Sequence, residues 1–425
     1  MAESRKSSLL SNIGVYTIGL FAYYFLQWYT TVAIVRLSGY SDAGILSIVI
    51  SFSNIFGFIA LFGIRNYQIC DVEEHYSNGE YFSSRLLTVG LSLLCFAVAL
   101  WQRNYDLQTA LCCIAYMAFK TLEAFSDVFF GIMQRRNRYS QIAVSYLLKG
   151  LLPTAAFVLL LLLKKGLLVA ILGMTAAYLM VMLAYDFYKL KGTQTFQLKF
   201  DRIVPLLKAC FPLMLCIVLS AVMVYVPKEA VNRVLGMEAA GYFGTISILI
   251  VVFSTLATSV WGVIIPRISG QFVERRKKEF QQLIKYLVFG YILLSIAVLT
   301  LGNLVGPWAL SLIYGEQILT YIHLLTPVLI NSMLLMGVSF FDGLFTALNK
   351  RISLLLCNAA GLILCILLVQ PWTQNAGMAG ANYAMTAGYG VRLILLVILS
   401  FVYIRREFSE KTEIISETKE ASCGE

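Results

Sequence analysis

Apolar runs of about 20 residues, the length that crosses a bilayer as a helix, recur along the whole chain between short polar breaks. Twelve can be marked, near 13–35, 44–64, 84–101, 107–133, 141–163, 167–188, 209–226, 241–264, 282–303, 321–348, 353–370 and 378–404. The breaks are rich in Gly, Asn, Lys and Arg, and none is long enough for a separate water-soluble domain. The pattern predicts an all-α membrane protein with twelve transmembrane helices. Arg5 and Lys6 precede the first run, which is too long for a signal-peptide core and lacks a small-residue cleavage site, so it is read as retained.

Charge sets the orientation. With the N-terminus in the cytoplasm, 24 of the 33 Lys and Arg fall on the inner side, six on the outer, and Lys120, Lys149 and Arg392 within spans. Inner loops carry the positive excess in membrane proteins, so the expectation is N-in, C-in. The composition agrees: 59% apolar and 13% charged among 425 residues, about half the charge of a soluble domain. The net charge of +10 then reads as topology and contact with lipid headgroups, not nucleic-acid binding. Two histidines and nine scattered cysteines leave little for a metal site, and no cofactor or metal is expected. The cysteines fall within spans or on the inner side, so no disulfides are expected.

The chain also repeats itself. Arg36-Leu-Ser-Gly39-Tyr-Ser-Asp-Ala-Gly44 follows the first run, and Arg233-Val-Leu-Gly236-Met-Glu-Ala-Ala-Gly241 follows the seventh. Asp127 precedes Gln134-Arg135-Arg136 by seven residues, and Asp342 precedes Asn349-Lys350-Arg351 by seven. The two matches predict parallel six-helix bundles around a central cavity, an architecture of transporters. The expected domains are 1–190 and 209–405, joined by a cytoplasmic amphipathic linker at 191–208 and followed by a cytoplasmic tail at 406–425. Interior Pro153 and Pro327 are candidates for kinks in moving helices.

Ionisable residues at membrane depth face a cavity or a partner. Lys120, Glu123 and Asp127 are spaced to share one helix face; they read either as a self-neutralised stripe or as cavity lining. Asp127 and Asp342, near inner ends, are candidates to hold Arg135 or Lys350, and Arg65 and Asp342 are assigned to an inner gate. Lys149 and Arg392 have no acidic residue three or four positions away. They are expected to face a cationic cavity; the alternative is pairing with Glu123 or an Asp on another helix. Arg36 is assigned near the outer exit, and Lys120 joins the cavity set. The aromatic residues of the first run, Tyr16, Phe21, Tyr23, Tyr24, Phe25, Trp28 and Tyr29, read as an interfacial belt, with sugar stacking as the alternative. A phosphate-binding loop, a zincin motif and a nucleophile elbow are missing, so no enzyme activity is expected.

These residues resemble a known family. Arg36, Gly39 and Gly44, the stretch Gly63-Ile-Arg65-Asn-Tyr-Gln-Ile-Cys-Asp71, and Glu123-Ala-Phe-Ser-Asp127 with Gly131-Ile-Met-Gln134-Arg135 carry the likeness. Leu235-Gly236, Gly241-Tyr-Phe243 and Pro266-Arg267-Ile268 add to it. From about 10 to 405 the chain resembles the multidrug/oligosaccharidyl-lipid/polysaccharide exporter superfamily, and within it the polysaccharide flippases of capsule and O-antigen assembly. The resemblance implies a multi-pass protein of the bacterial cytoplasmic membrane that moves undecaprenyl-pyrophosphate-linked oligosaccharides outward. It implies membrane lipids and a polysaccharide polymerase as partners, and the chain is expected to act as a monomer. A pyrophosphate at membrane depth suits Arg or Lys. Glu123 and Asp127 keep open a cation-coupled multidrug exporter of the same superfamily. A membrane enzyme acting on the same lipid is disfavoured by the short outer loops, and a lipid II flippase by the lack of two further helices.

Overall fold

The computed structural model describes residues 2–71, 74–191, 197–273, 277–348 and 350–422. Among them all regular structure is helical. The chain runs through α1 (Ala2–Ser38), α2 (Tyr40–Leu61), α3 (Ile64–Cys70), α4 (Asn78–Trp101), α5 (Leu107–Arg135), α6 (Tyr139–Leu162) and α7 (Leu167–Val181). A π-helical turn (Met182–Asp186) leads into the short α8 (Phe187–Lys189). Then come α9 (Ile203–Leu235), α10 (Met237–Val273), α11 (Lys277–Tyr314), a 3-10 segment (Glu316–Leu324), α12 (Leu325–Ala347) and α13 (Arg351–Ser422).

Ten helical stretches among the described residues are long and apolar enough to cross a membrane; the protein is a multi-pass membrane protein. α5 is not one of the ten, because Lys120, Glu123 and Asp127 interrupt its apolar run. α13 breaks at Ala376 and Gly377, where φ reaches +58°. Its two arms fold back on each other: the Ser353 and Tyr403 hydroxyls lie 2.6 Å apart, and a Cβ on Gly361 would sit 2.7 Å from the Gly388 carbonyl. The runs near 353–370 and 378–404 are these two arms.

Contacts group the chain into two compact units, Met1–Thr245 and Ile246–Glu425. α9 and the first turns of α10 therefore group with the first unit, where α9 packs along α2. The repeat explains part of that packing. Gly39 and Gly236 adopt the same backbone, with φ +91° and +90° and ψ near 180°, a conformation that favours glycine. A Cβ on Gly44 would lie 1.9 Å from the Met237 carbonyl oxygen, and one on Gly241 would lie 2.0 Å from that of Tyr40. The Tyr40 and Tyr242 rings stack with centroids 3.7 Å apart. The two copies of the motif thus touch each other reciprocally, backbone to backbone.

One expectation is corrected locally. Pro327 falls in the first turn of α12, where a missing N–H costs nothing, so it introduces no kink. In the linker, residues 197–202 are extended or turn-like and α9 begins at Ile203. They dock on the segment before and within α4. The Lys199 N–H donates to Ser83 Oγ at 3.0 Å, and Gly79 lets the Gln197 carbonyl approach closely. Residues 192–196, Asn349 and the side chains of Pro266 and Arg267 lie outside the described residues.

Candidate functional site

The polar residues of the first unit converge on α5. Asp106 starts this helix by accepting the Thr109 N–H at 3.1 Å. Positions 116, 120, 123, 127, 130 and 134 then follow at spacings of three and four, so one stripe runs along its length.

At the C-terminal end of that stripe, Asp127 holds two arginines. Arg85 of α4 donates to its Oδ2 at 2.8 Å, and Arg65 of α3 approaches its Oδ1 at 3.4 Å. Arg65 also donates to the Tyr146 hydroxyl at 3.2 Å, the Tyr16 hydroxyl at 3.2 Å and Gln134 Oε1 at 3.0 Å. The local chain explains how Arg65 gets there. Phe62 and Gly63 both have positive φ, which ends α2 and starts α3 in a new direction. Arg85 is fully buried and also donates to the Ala60 carbonyl. Two guanidiniums share one carboxylate, so the cluster keeps one net positive charge. The Arg65 and Asp127 side chains remain 16% and 19% exposed, enough to meet a ligand.

One to two turns earlier on α5, Lys120 and Glu123 pair at 2.6 Å. The Tyr23 hydroxyl of α1 also donates to Glu123. Lys120 lies 5.5 Å from the centre of the Tyr116 ring, a favourable cation–π distance. Both readings of the stripe therefore have support: Lys120 and Glu123 neutralise each other and both keep part of their surface open.

Lys149 departs from its expected role. Its amine is fully buried and donates to Asp186 and, at 2.6 Å, to Ser126 Oγ. Ser145 Oγ donates to the other Asp186 oxygen at 2.7 Å. The π-helical turn at Met182–Asp186 ends on Asp186, and such turns often serve to aim one side chain. Arg392 has a cross-helix partner too: one Nη donates to both oxygens of Asp342 at 2.8 and 2.7 Å. The cationic-cavity expectation is corrected for both: each pairs with an Asp on a helix distant in sequence, which was the alternative.

Other pairings differ likewise. Arg135 pairs with Glu74 at 3.1 Å rather than with Asp127, and Lys350 lies over the Tyr403 ring while Asp342 takes Arg392. Arg65 meets Asp127 within the first unit. Arg36 is exposed in the last turn of α1. The aromatic belt is divided: Phe21, Tyr24, Phe25 and Tyr29 are exposed, whereas Tyr16 and Tyr23 turn inward to Arg65 and Glu123.

Near the end of α5 a cavity of about 540 Å³ is lined by Arg135, Arg136, Lys199, His75 and the segment Glu74–Glu80. Asp71 organises this segment by accepting the His75 and Tyr76 N–H groups at 2.9 and 3.1 Å and the Tyr81 hydroxyl at 2.8 Å. Burial raises the Asp71 carboxyl, but the Tyr81 hydroxyl and these N–H donors outweigh it and hold it below the usual carboxylate range.

Four charged residues escaped the sequence reading. Arg85 was counted as an inner-loop cation; the Ser77-x-x-Glu80 capping box is the signal that starts α4 earlier and draws Arg85 inside. Asp186 closes an apolar run and was passed over. Lys228 and Glu229 lie beyond the seventh apolar run, which ends near 226, but α9 continues past Pro227 to Leu235. Glu229 is buried and accepts from Arg233 at 2.8 Å and Tyr105 at 2.9 Å, with Arg103 at 3.7 Å.

Solved structures share this membrane-embedded, largely helical fold. An inward-facing multidrug resistance MATE family transporter of the MOP superfamily superposes with a TM-score of 0.70 at 13% identity, over 90% of this chain and 94% of that one. A MOP superfamily transporter from Pyrococcus furiosus, described by the reverse polarity of its binding pocket, gives 0.60 at 13% identity, over 95% and 96%. The chain itself belongs to the polysaccharide biosynthesis protein family, whose model matches residues 33–323. Capsular polysaccharide biosynthesis protein CapF of Staphylococcus aureus is 24% identical over 290 residues, 67% of this chain and 72% of CapF. The likeness carried by the short motifs thus holds for family and for fold.

Proposed function

We propose that this protein is a flippase of the bacterial cytoplasmic membrane. It moves undecaprenyl-pyrophosphate-linked oligosaccharide repeat units to the outer leaflet by alternating access, for capsule, O-antigen or exopolysaccharide assembly. The observation that carries the reading is the positive excess around Asp127, toward the inner helix ends, where two arginines share one carboxylate and Arg65 stays partly open. A half-buried positive charge without a matching anion is costly. An anionic ligand would offset that cost, and a neutral or cationic one would not. Arg65 and Lys120 are the diphosphate-facing cations in this reading, with Glu123 and Asp127 setting their position and Arg36 near the outer exit. Lys149 is left out, because its amine is sealed against Asp186.

The full topology of twelve spans with both termini inside belongs to the same proposal, as do a monomeric state and a polymerase that receives the product. Impermeant thiol reagents on cysteine-substituted protein in intact cells test the topology: Ser41, Asn232 and Gln374 should label from outside, Asn137 and Ser409 should not. Deletion of the gene should accumulate lipid-linked repeat units, and Arg65→Ala should reproduce that at normal protein level. Arg65→Lys should restore export in part, since a point charge loses the planar hydrogen-bonding fork. A second reading, a cation-coupled drug exporter, rests on Glu123, a partly open acid held by Tyr23 and Lys120. It predicts drug sensitivity on deletion with no accumulated lipid-linked sugar.

A further inference from the structure

Lys228 differs from the ion-paired cations described above. Lys120, Lys149, Arg65, Arg85, Arg103, Arg233 and Arg392 each have a carboxylate within ion-pair distance. Among the described residues, the partner shown for Lys228 is a hydroxyl: its amine donates to Ser51 Oγ of α2 at 2.9 Å. Ser51 spends its own proton on the Ser47 carbonyl at 2.8 Å, so its oxygen is an acceptor toward Lys228. An ammonium has three N–H donors, and this contact uses one of them.

Depth makes the vacancy costly. Lys228 lies seven residues before the end of α9 at Leu235, roughly 10 Å of helix. Ser51 lies eleven residues into α2, roughly 16 Å from its start. A lysine amine held at Ser51 is not reaching for the membrane surface. Its rotation is also fixed: Tyr225 and Glu229, one turn apart on α9, both bind the Tyr105 hydroxyl, at 2.7 and 2.9 Å. Glu229 is meanwhile saturated by Arg103, Arg233 and Tyr105 and leaves no charge for its neighbour. Lys228 is not wholly buried. The position that matches Lys228 in the first copy of the repeat is Thr31, whose hydroxyl is satisfied locally by the Trp28 carbonyl at 2.7 Å. The cation is thus an addition to one copy of a shared scaffold, which a purely architectural role would not require.

We infer that Lys228 is a substrate-contact residue: with Ser51 as its anchor, its remaining N–H donors bind the phosphate oxygens of an isoprenoid pyrophosphate. This rests on the flippase reading and names a contact at the middle of α2, beside Ser51.

The test uses the purified full chain in detergent with two probes, undecaprenyl pyrophosphate and undecaprenol, read by native mass spectrometry or by quenching of intrinsic fluorescence. The wild-type chain should prefer the pyrophosphate. Lys228→Met should weaken pyrophosphate binding by roughly tenfold or more, as expected for a lost charge-assisted hydrogen bond, and leave undecaprenol binding unchanged. Lys228→Arg should stay within about threefold of wild type, because the charge is kept. Lys228→Gln retains a donor for Ser51 and should show the same selective loss as Lys228→Met, which covers the case in which the methionine variant does not fold. Equal binding of pyrophosphate by Lys228→Gln and wild type overturns the assignment while the flippase reading stands. An equal loss for both probes also overturns it, since that marks a structural role. A wild-type chain with no preference for the pyrophosphate overturns both.

Discussion

Asp127 in the first unit and Asp342 in the second stand seven residues before similar sequences, and each accepts a guanidinium from another helix. Their surroundings differ. Asp127 is shared by Arg65 and Arg85, with Tyr16, Tyr146 and Gln134 also bound to Arg65. Asp342 takes Arg392 alone among the described ion pairs, and the nearby polar chemistry of its unit is neutral: Asn331 donates to the Asn382 carbonyl at 3.2 Å and Thr386 donates to Asn331 at 2.9 Å. The two sites thus differ: an unbalanced charge around Asp127 and a balanced pair at Asp342. A balanced pair satisfies itself, whereas the positive excess around Asp127 matches the anionic ligand proposed above.

The sharpest way to break this comparison is to remove one partner from a sealed pair. Lys149→Met leaves Asp186 buried and uncompensated and should cost about 3–5 kcal/mol, seen as a large drop in thermal stability in detergent. Adding Asp186→Leu should recover most of it; a single variant as stable as wild type would refute the sealed-pair view. Arg392→Ala should cost less, about 1.5–3 kcal/mol, because the Asp342 side chain is 35% exposed and water can replace the guanidinium in part. If its melting shift exceeds that of Lys149→Met, the ranking of the two units is wrong.

The glycine contact sharpens the comparison on the backbone side. Gly44→Ala pushes a methyl onto the Met237 carbonyl and should destabilise by about 1–3 kcal/mol. Gly290→Ala in α11 meets nothing within 4 Å and should stabilise by roughly 0.5–1 kcal/mol, the ordinary preference of a helix for alanine. Matching shifts for the two substitutions would mean that Gly44 is not in close contact. The smallest stability effect should come from Lys120→Met. Its pair with Glu123 is partly exposed, so about 0.5 kcal/mol is expected, alongside a clear loss of polymer export. Loss of stability without loss of export would remove Lys120 from the substrate-facing set.

Much of the fold was legible because apolar runs and helix length are local properties. Positions of most helices follow the runs within a turn or two, and the charge stripe on α5 was readable from spacings of three and four. Errors cluster where a helix ran past an expected end. α4 begins at Asn78 and so swallows Arg85; α9 passes Pro227 and so draws Lys228 and Glu229 to depth. In each case a residue read as a loop charge became an interior one. The capping box at Ser77 and Glu80 could have corrected the first. No comparable local signal marks the second, because α9 is held in place by Tyr105, far away in the chain.

Sequence by itself determined that this chain lives in the membrane, that it is helical, that a motif occurs twice, and that certain cations sit where lipid would reject them. Those facts depend on composition and on spacing along one helix. Only the tertiary structure decided which cation meets which carboxylate. Lys149 and Asp186 are 37 residues apart and Arg392 and Asp342 are 50 apart, so no helical spacing links them. Ion pairing in a medium of low dielectric is set by distance in space, and that distance is fixed when helices pack. Among the described residues, the partner that packing gives Lys228 is the Ser51 hydroxyl.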